Sequence, residues 1–360
     1  MYKIVVWIGL IASLLFSMAG CTSGEQTGNG RVEWIIPYKE GGGSDIWARF
    51  FAPFLGKYLP EQPTVLIRNM PGGGSLKGVN WFYQQAPKDG TVIGHTSGST
   101  AMNYLLGDSK VAYNYDDMKL IFATPTGGVL YISPKLGVSD YTQLNQLKGQ
   151  KLFYGSQGAT SLDIVPILAF YLLELDIKPV FGMKGRGSGR LSFERGEANV
   201  DYQTTSAYLK RVVPLIEEGL AIPIMSWGSL DESGNVVRDP TVPELPHFLE
   251  VLAYLKGPDI LKSKEVAIWK SLFIAGFACQ KLALLPPGTP DDIVQQWRDA
   301  TSALIQDKDF QEKAPAVLGG YLPIIGDKGE KLIKEALQIK PEYRQWLTDW
   351  LYDTYQAKVQ

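Results

Sequence analysis

The chain has 360 residues, of which 45% are hydrophobic, enough for one large core or two ordinary ones. Its formal net charge is −2, and its 35 Lys and Arg residues are scattered along the chain. The sequence therefore has no basic surplus for nucleic acid and predicts one or two globular domains.

The first 20 residues (1–20) have the pattern of a bacterial lipoprotein signal peptide. Residues 4–16 are apolar, and small residues precede Cys21. Because this run is short for a membrane span, we predict cleavage before Cys21 and lipidation of its thiol, with an uncleaved anchor helix as the alternative. Residues 21–30 then form a flexible tether, and the protein works outside the cytoplasmic membrane. The other cysteine, Cys279, is predicted to be a buried thiol without a disulfide.

One local pattern occurs four times: a short apolar strand, a turn rich in Gly and Ser, and a helix. Glycines allow a backbone to approach a ligand closely, and free N–H groups at a helix N-terminus favour an anion. Parallel strands gather such turns at the carboxyl edge of a sheet. The pattern therefore predicts an α/β fold with a carboxylate or phosphate site. The four strands are predicted at 35–38, 64–67, 91–96 and 151–154.

In the first unit, Ser44 or Asp45 is predicted to cap a helix that runs to Tyr58. Pro53 lies inside this helix and should kink it, but the apolar residues still define one face. Three aromatic residues of the helix are predicted to lie in the core: Trp47, Phe50 and Phe54.

The rest of the chain supports a division into two lobes. Residues 31–124 are predicted to form the first part of lobe 1, residues 125–277 lobe 2, and residues 278–360 the second part of lobe 1. The segment 245–280 has helical spacing and is predicted to cover the cleft or an edge of lobe 2. Further strands are expected at 120–123, 129–133, 178–181 and 221–226, and helices at 206–218, after Pro290, at 330–338 and at 343–355.

The sequence lacks the residue groups that an enzyme would need. His95 and His247 have no metal-like spacing to other ligands, and no nucleophile elbow, phosphate loop or dinucleotide fingerprint occurs. We therefore predict a binding protein with no cofactor and no metal.

The motifs resemble, in order and spacing, those of the extracytoplasmic solute-binding receptors of tripartite tricarboxylate transporters, the TctC or Bug family. The resemblance covers about residues 31–350. It implies a type II periplasmic-binding-protein fold, in which two α/β lobes close over a ligand. It also implies a receptor, expected to be monomeric, that delivers a di- or tricarboxylate or an aromatic acid to two membrane permease subunits. The motifs are IIPYKEGGGSD, RNMPGGGS, APKDGTVIG, YGSQGATS, MKGRGSGRLSFERGEANVD and LPPGTP.

The same resemblance implies that backbone N–H groups of the first two turns hold a ligand carboxylate. In lobe 1 it points to Tyr38, Gly42, Gly43, Ser44, Asp45, Gly73, Gly74, Ser75, Ser97, Ser99 and Thr100. In lobe 2 it points to Ser156, Gly158, Thr160, Lys184, Gly185 and Asp201. Two residues depart from the family pattern. Glu40 is expected to face solvent, and Arg186 either clamps a distal ligand carboxylate with two hydrogen bonds or is a solvated loop residue.

Several alternatives stay open. The chain could present its ligand to a two-component sensor kinase, or it could be an extracytoplasmic hydrolase that uses Ser99 or Ser156, although no base is apparent for either serine. Asp45 fits a helix cap better than a ligand contact, and core packing of Trp81 and Tyr104 is favoured over an aromatic wall for the ligand. Backbone anion seats accept many acids, so the sequence does not identify the ligand.

Overall fold

The structure is a computed structural model that describes residues 30–231, 233–278 and 280–359. The predicted signal peptide and all but the last residue of the tether lie outside the described residues, as do Cys21 and Cys279. The strands are β1 (Arg31–Ile36), β2 (Thr64–Asn69), β3 (Val92–Ser97), β4 (Lys119–Thr124), β5 (Gly128–Ile132), β6 (Leu152–Gly155), β7 (Ile177–Val180), β8 (Val200–Thr204), β9 (Ile222–Ser226), β10 (Ser229–Leu230), β11 (Val236–Val237), β12 (Lys281–Leu285) and β13 (Ile324–Ile325).

Helices connect most of these strands. They are α1 (Gly43–Tyr58), α2 (Leu76–Gln85), α3 (Gly98–Leu106), α4 (Ile164–Leu172), α5 (Arg186–Glu194), α6 (Thr205–Ala207), α7 (Val213–Glu217), α8 (Phe248–Lys256), α9 (Lys264–Phe273), α10 (Asp291–Ile305), α11 (Lys308–Lys313), α12 (Pro315–Leu318), α13 (Gly326–Ala336) and α14 (Pro341–Tyr355). Short 3₁₀ helices are Gly73–Ser75, Pro134–Leu136, Tyr141–Leu147 and Pro258–Lys262, and π-helical turns are Tyr208–Val212 and Ile274–Ala278. In the part of the chain that the structure describes, no helix combines the length and apolar character of a membrane span.

The strands form two large sheets, one in each lobe. The sheet of lobe 1 has the order β13-β4-β12-β3-β1-β2, and that of lobe 2 has the order β7-β6-β8-β5-β9. β1 pairs in parallel with β2 and β3, and β6 pairs in parallel with β7 and β8. Both sheets are nevertheless mixed, because β12 runs antiparallel to β3 and β4, and β5 antiparallel to β8 and β9. The parallel pairing that the four strand-turn-helix units predict is present in both lobes, and each antiparallel pair includes at least one strand outside those units.

The chain passes between the lobes twice. It leaves the first sheet after β4, enters the second sheet at β5, and returns to the first sheet at β12. The second connection comes directly after the π-helical turn Ile274–Ala278. The first residue of β12 is therefore held at the boundary between the lobes.

The core of lobe 1 forms around α1. Trp47 packs against Trp34 and Phe122, with ring centroids 5.2 and 5.3 Å apart. The helix continues through Pro53. Trp47 and Phe54 are buried in the core as predicted, whereas Phe50 is partly buried at its edge.

The segment 245–280 folds into α8, α9 and the turns beside them, and it covers one face of the second sheet. Phe248 lies against Trp269 with ring centroids 4.4 Å apart, and Trp269 stacks on Phe273. All three rings belong to the core of lobe 2. Helix α14 contributes Leu347 and Trp350 to this same cluster, which also contains Met102 of the lobe 1 helix α3. The division of the chain into lobes at residues 124, 277 and 360 stays a prediction.

Candidate ligand site between the lobes

A small cavity of about 30 Å³ lies where the two lobes meet. It is bordered by the first and third Gly/Ser turns of lobe 1, by turns of lobe 2, and by the connection that returns to lobe 1. The lining residues are Tyr38, Lys39, Gly42, Gly43, Ser44, Ser97, Ser99, Gln157, Leu162, Gly185, Arg186, Thr204, Gln280 and Lys281.

The first turn presents the N-terminus of α1 to this cavity. The helix begins at Gly43, and its N-cap residue, Gly42, makes no capping hydrogen bond through a side chain. The carboxylate of Asp45 accepts hydrogen bonds from the backbone N–H of Gly41 (2.9 Å), from Nε of Arg49 (3.0 Å) and from Nδ2 of Asn69 (3.0 Å). Asp45 thus fixes the shape of the turn. The prediction that Ser44 or Asp45 is the cap is wrong, because the helix starts before them.

Hydroxyl groups join the three turns of lobe 1. The phenol of Tyr38 lies 2.5 Å from Oγ of Ser97 and 3.1 Å from Oγ1 of Thr100, and Thr100 is 2.9 Å from Oγ of Ser75. Ser75 has a φ angle of 98°, a left-handed conformation that is uncommon for a residue with a side chain. The second turn, with Gly73, Gly74 and Ser75, therefore supports the first and third turns and does not border the cavity.

Ser44 and His95 form a buried pair beside the cavity. Nδ1 of His95 is 3.0 Å from the carbonyl oxygen of Leu282, and Nε2 is 2.9 Å from Oγ of Ser44. Because a carbonyl can only accept, the proton resides on Nδ1, and Nε2 accepts from the Ser44 hydroxyl. Burial, with a contribution from Lys281, lowers the pKa of His95 to about 3. His95 is therefore neutral and a poor base for hydrolysis at neutral pH.

Lys281 is the first residue of β12 and only 1% of it is exposed. It lies opposite Ser97 of β3 in the ladder of the first sheet. Its Nζ donates to Oε1 of Gln280 at 2.7 Å and to Oγ1 of Thr204 at 3.4 Å. Among the described residues, no carboxylate forms an ion pair with it. Burial lowers the pKa of Lys281 to about 7.

Arg186, at the start of α5, is also buried, but it lies between two carboxylates. Its guanidinium donates to Asp201, to Oδ2 of Asp163 (3.4 Å), and to the carbonyl oxygens of Gly155 (2.6 Å) and Tyr202 (3.1 Å). Nε also points at the Tyr202 carbonyl, at 3.4 Å. These bonds use the donor directions of the guanidinium.

The hypothesis that Arg186 clamps a ligand carboxylate is therefore wrong for this conformation. The guanidinium already neutralises protein carboxylates, and its flat faces lie 4.9 and 4.5 Å from the rings of Tyr154 and Tyr202. Nor is Arg186 a solvated loop residue, since only 7% of it is exposed. Arg186 is therefore a structural residue of lobe 2, because its hydrogen bonds join β6, β8 and the start of α4.

The structure brings only some of the predicted site residues to the cavity. They are Tyr38, Gly42, Gly43, Ser44, Ser97, Ser99, Gly185 and Arg186. The others do not line it: Asp45, Gly73, Gly74, Ser75, Thr100, Ser156, Gly158, Thr160, Lys184 and Asp201. Ser156, for example, donates to the Asp163 carboxylate at 3.0 Å, and Asp201 is buried against Arg186. Glu40 is exposed, as expected, and Trp81 and Tyr104 are partly buried against the core of lobe 1.

Direct contacts across the cleft hold the lobes together in this conformation. The backbone N–H of Lys39 donates to the carbonyl of Lys184 at 3.3 Å, and the N–H of Leu162 donates to Oγ of Ser99 at 3.2 Å. A cavity of about 30 Å³ is far smaller than the roughly 300–1,000 Å³ that is usual for the site of a small-molecule ligand. A larger ligand would therefore enter only when the lobes are further apart than they are here.

Comparison with known proteins identifies a related sequence and solved structures with a similar fold. No family model matches the chain. A curated relative, the UPF0065 protein in the tcbD-tcbE intergenic region of Pseudomonas sp. (strain P51), is 23% identical over 320 residues, which cover 84% of this chain and 85% of the relative. The solved periplasmic binding protein BugD superposes with a TM-score of 0.67 at 16% identity, covering 89% of this chain and 97% of BugD. The chain has the Bug-type periplasmic-binding-protein fold.

A second solved structure, MatC from Rhodopseudomonas palustris with bound malate, shares this Bug-type fold. Its TM-score is 0.64 at 18% identity, over 88% of this chain and 98% of MatC. The resemblance to TctC and Bug receptors, which the order of the motifs predicts, is thus confirmed.

The sequence motifs of the Bug-type fold did not reveal every residue of the cavity. The missed residues are Lys39, Gln157, Leu162, Thr204, Gln280 and Lys281. Lys281 had a detectable signal, because it is the one charged residue in the otherwise apolar run LFIAGFACQKLALL (272–285). A single lysine in such a run is either exposed at the edge of the core or buried. Because lysine is rarely buried without a partner, a buried lysine is a candidate for a functional site.

Proposed function

We propose that this protein is an extracytoplasmic receptor that captures a small organic carboxylate in the interlobe cleft and delivers it to a membrane transporter. The observation that carries this proposal is the uncapped N-terminus of α1, which meets the turns of lobe 2 in that cleft. Free N–H groups at a helix N-terminus bind a carboxylate, and closure of the lobes removes competing water.

The structural neighbour with bound malate supports a carboxylate over other anions. For this chain we propose a di- or tricarboxylate or an aromatic acid as ligand. A bound ligand would stabilise the closed arrangement, and the closed form would be the one that the transporter recognises.

The cellular context is also part of the proposal. The protein would act as a monomer outside the cytoplasmic membrane, anchored by a lipid on Cys21, and would deliver ligand to the two permease subunits of a tripartite transporter. It would bind its ligand without turnover. The neutral, buried His95 beside Ser44 supports this, because that pair lacks an effective base.

A thermal-shift screen of the full chain tests the proposed function. The panel comprises malate, succinate, adipate, citrate and benzoate, with inorganic phosphate and glucose as controls. A ligand that binds only the folded state increases the free energy of unfolding, by about 2.7 kcal/mol when its concentration is one hundred times Kd. The melting temperature therefore rises with ligand concentration. We expect a concentration-dependent rise with at least one carboxylate and none with glucose. A folded, ligand-free protein that responds to no carboxylate would contradict the proposal.

A further inference from the structure

The cleft contains a buried lysine, Lys281, that forms no ion pair with a carboxylate of the described residues. As an ammonium group, Nζ of Lys281 has three N–H donors, and its two hydrogen-bond partners among the described residues, Gln280 and Thr204, are both neutral. The bond to Thr204 is long, at 3.4 Å. Lys281 is 1% exposed and lines the cavity, so a further acceptor for its amino group would have to lie in that cavity.

The charged and titratable groups around Lys281 do not supply a counter-charge. His95, on the neighbouring strand β3, is neutral. Burial raises the pKa of Tyr38, so its phenol is also neutral. Asp45 is paired with Arg49 on α1. In lobe 2, Asp201 is buried against Arg186.

The positive end of α1 points to the same place. A Cβ atom built on Gly43, the first residue of the helix, would lie 3.4 Å from Nζ of Lys281. The N–H groups of the first helical turn and the ammonium group thus converge within one small volume. A helix N-terminus and a lysine at such a distance both favour a negative group between them.

We propose that Lys281 is the charge partner of one carboxylate of the ligand, and that binding of the ligand between the lobes is coupled to the uptake of one proton. This inference rests on the proposed function and specifies how the same site recognises its ligand. In the free protein, burial favours the neutral amine. A carboxylate beside it restores the ammonium form, so the amine takes up a proton from solution when the anion binds.

The proposal determines how affinity varies with pH. Below about pH 7 the amine is already charged, since burial lowers the pKa of Lys281 to about 7, and affinity is nearly constant. Above pH 7 each binding event must also take up a proton. Affinity then falls by about tenfold per pH unit, until the pH reaches the pKa of the amine in the complex.

Isothermal titration calorimetry on the full chain with malate, succinate and adipate tests the proposal. Titrations run at pH 6.5, 7.5 and 8.5, and in Tris and HEPES at pH 8, where the difference in buffer ionisation enthalpy reports proton uptake. For the wild type we expect uptake close to one proton at pH 8 and weaker binding at pH 8.5 than at pH 7.5. Lys281→Met should bind at least tenfold more weakly at pH 6.5 and without proton uptake. Lys281→Arg should bind independently of pH.

Lys119→Met is the matched control, because Lys119 lies on the adjacent strand β4 at the opposite end of the sheet, outside the cavity. It should reproduce the wild-type affinity and pH dependence. Wild-type binding without proton uptake would overturn the inference even if Lys281→Met failed to fold. Equal binding by Lys281→Met would overturn it as well, while leaving the proposed function intact. If the wild type bound none of the three acids, the proposed function would fall together with the inference.

Discussion

Two buried cations lie on either side of the cleft and differ in how their charge is balanced. Arg186 in lobe 2 contacts the carboxylates of Asp163 and Asp201, stacks on aromatic rings and is fully hydrogen-bonded. Lys281, at the edge of lobe 1, has only neutral partners among the described residues. Breaking a paired buried charge is strongly destabilising, whereas an unpaired buried charge itself reduces stability. The comparison separates a residue that holds lobe 2 together from the residue that we propose as the partner of a ligand carboxylate.

The largest effect is expected from Arg186→Leu. Removing the guanidinium leaves the carboxylates of Asp163 and Asp201 buried without a counter-charge, which should lower the free energy of unfolding by about 3–5 kcal/mol. Urea unfolding followed by tryptophan fluorescence measures this loss. Arg195→Leu is the control, because Arg195 forms an exposed pair with Glu197 in the same lobe and should have little effect. A loss below about 1 kcal/mol for Arg186→Leu would show that the cluster is not a structural centre.

Lys281→Met should act in the opposite direction. A methionine of similar shape removes a buried, unpaired charge, so the free energy of unfolding at pH 7 should rise by on the order of 1–3 kcal/mol. The same measurement as for Arg186→Leu applies, with Lys119→Met as control. A clear loss of stability in Lys281→Met would mean that the ammonium group has a protein partner, and the contrast between the two cations would disappear.

The sign of the pH dependence sharpens this test. Burial lowers the pKa of Lys281 from 10.5 to about 7. Between these values the unfolded chain binds a proton that the native protein does not, so this residue makes the free energy of unfolding increase with pH. The advantage of Lys281→Met over the wild type should therefore be greatest at pH 7 or below and should shrink from pH 7 to pH 9. An advantage that stayed constant over this range would argue against the lowered pKa.

The two cations also show how far the sequence could predict the site. The fold class, the Gly/Ser turns and the lining residues Gly42 and Gly43 follow from local chemistry, since strand, turn and helix signals are contained within a few neighbouring residues. The partners of Arg186 do not. Asp163 lies 23 residues before Arg186, at the start of α4, and only the packing of lobe 2 brings the two residues together. The sequence shows an arginine beside glycines, which favours a ligand clamp. The structure shows instead that Arg186 binds carboxylates and carbonyl groups of lobe 2.

Lys281 escaped prediction for the converse reason. It lies in no family motif, and its neighbours Thr204 and Gly43 come from distant parts of the chain in two different lobes. Whether a lysine in an apolar run is paired, exposed or aimed at a cleft depends on these tertiary contacts.

A smaller effect is expected when the lobes are kept from closing beside Lys281. A Cβ atom at Gly43 would lie 2.2 Å from Oγ1 of Thr204, so Gly43→Ala should hold the lobes apart or displace Thr204. We expect ligand affinity to fall by about tenfold, equivalent to about 1.4 kcal/mol, as measured by calorimetry. Thr204→Ala removes the clashing oxygen and leaves Cβ at 3.6 Å, so the double variant should regain affinity relative to Gly43→Ala alone. If the double variant did not regain affinity, the loss in Gly43→Ala would come from a change in α1 and not from the clash with Thr204.

The smallest effect is expected from Ser44→Ala, which tests the neutral neighbour of Lys281. The serine hydroxyl donates to Nε2 of His95, and without it this buried nitrogen loses its donor, at a cost of about 1 kcal/mol in the free energy of unfolding. Nitrogen NMR of the histidine ring should show the proton on Nδ1 in both the wild type and the variant, because the Leu282 carbonyl holds it there. With its pKa lowered to about 3, His95 should remain neutral at pH 5. A charged ring at pH 5 would contradict the lowered pKa of His95, because both burial and the positive charge of Lys281 disfavour the imidazolium form.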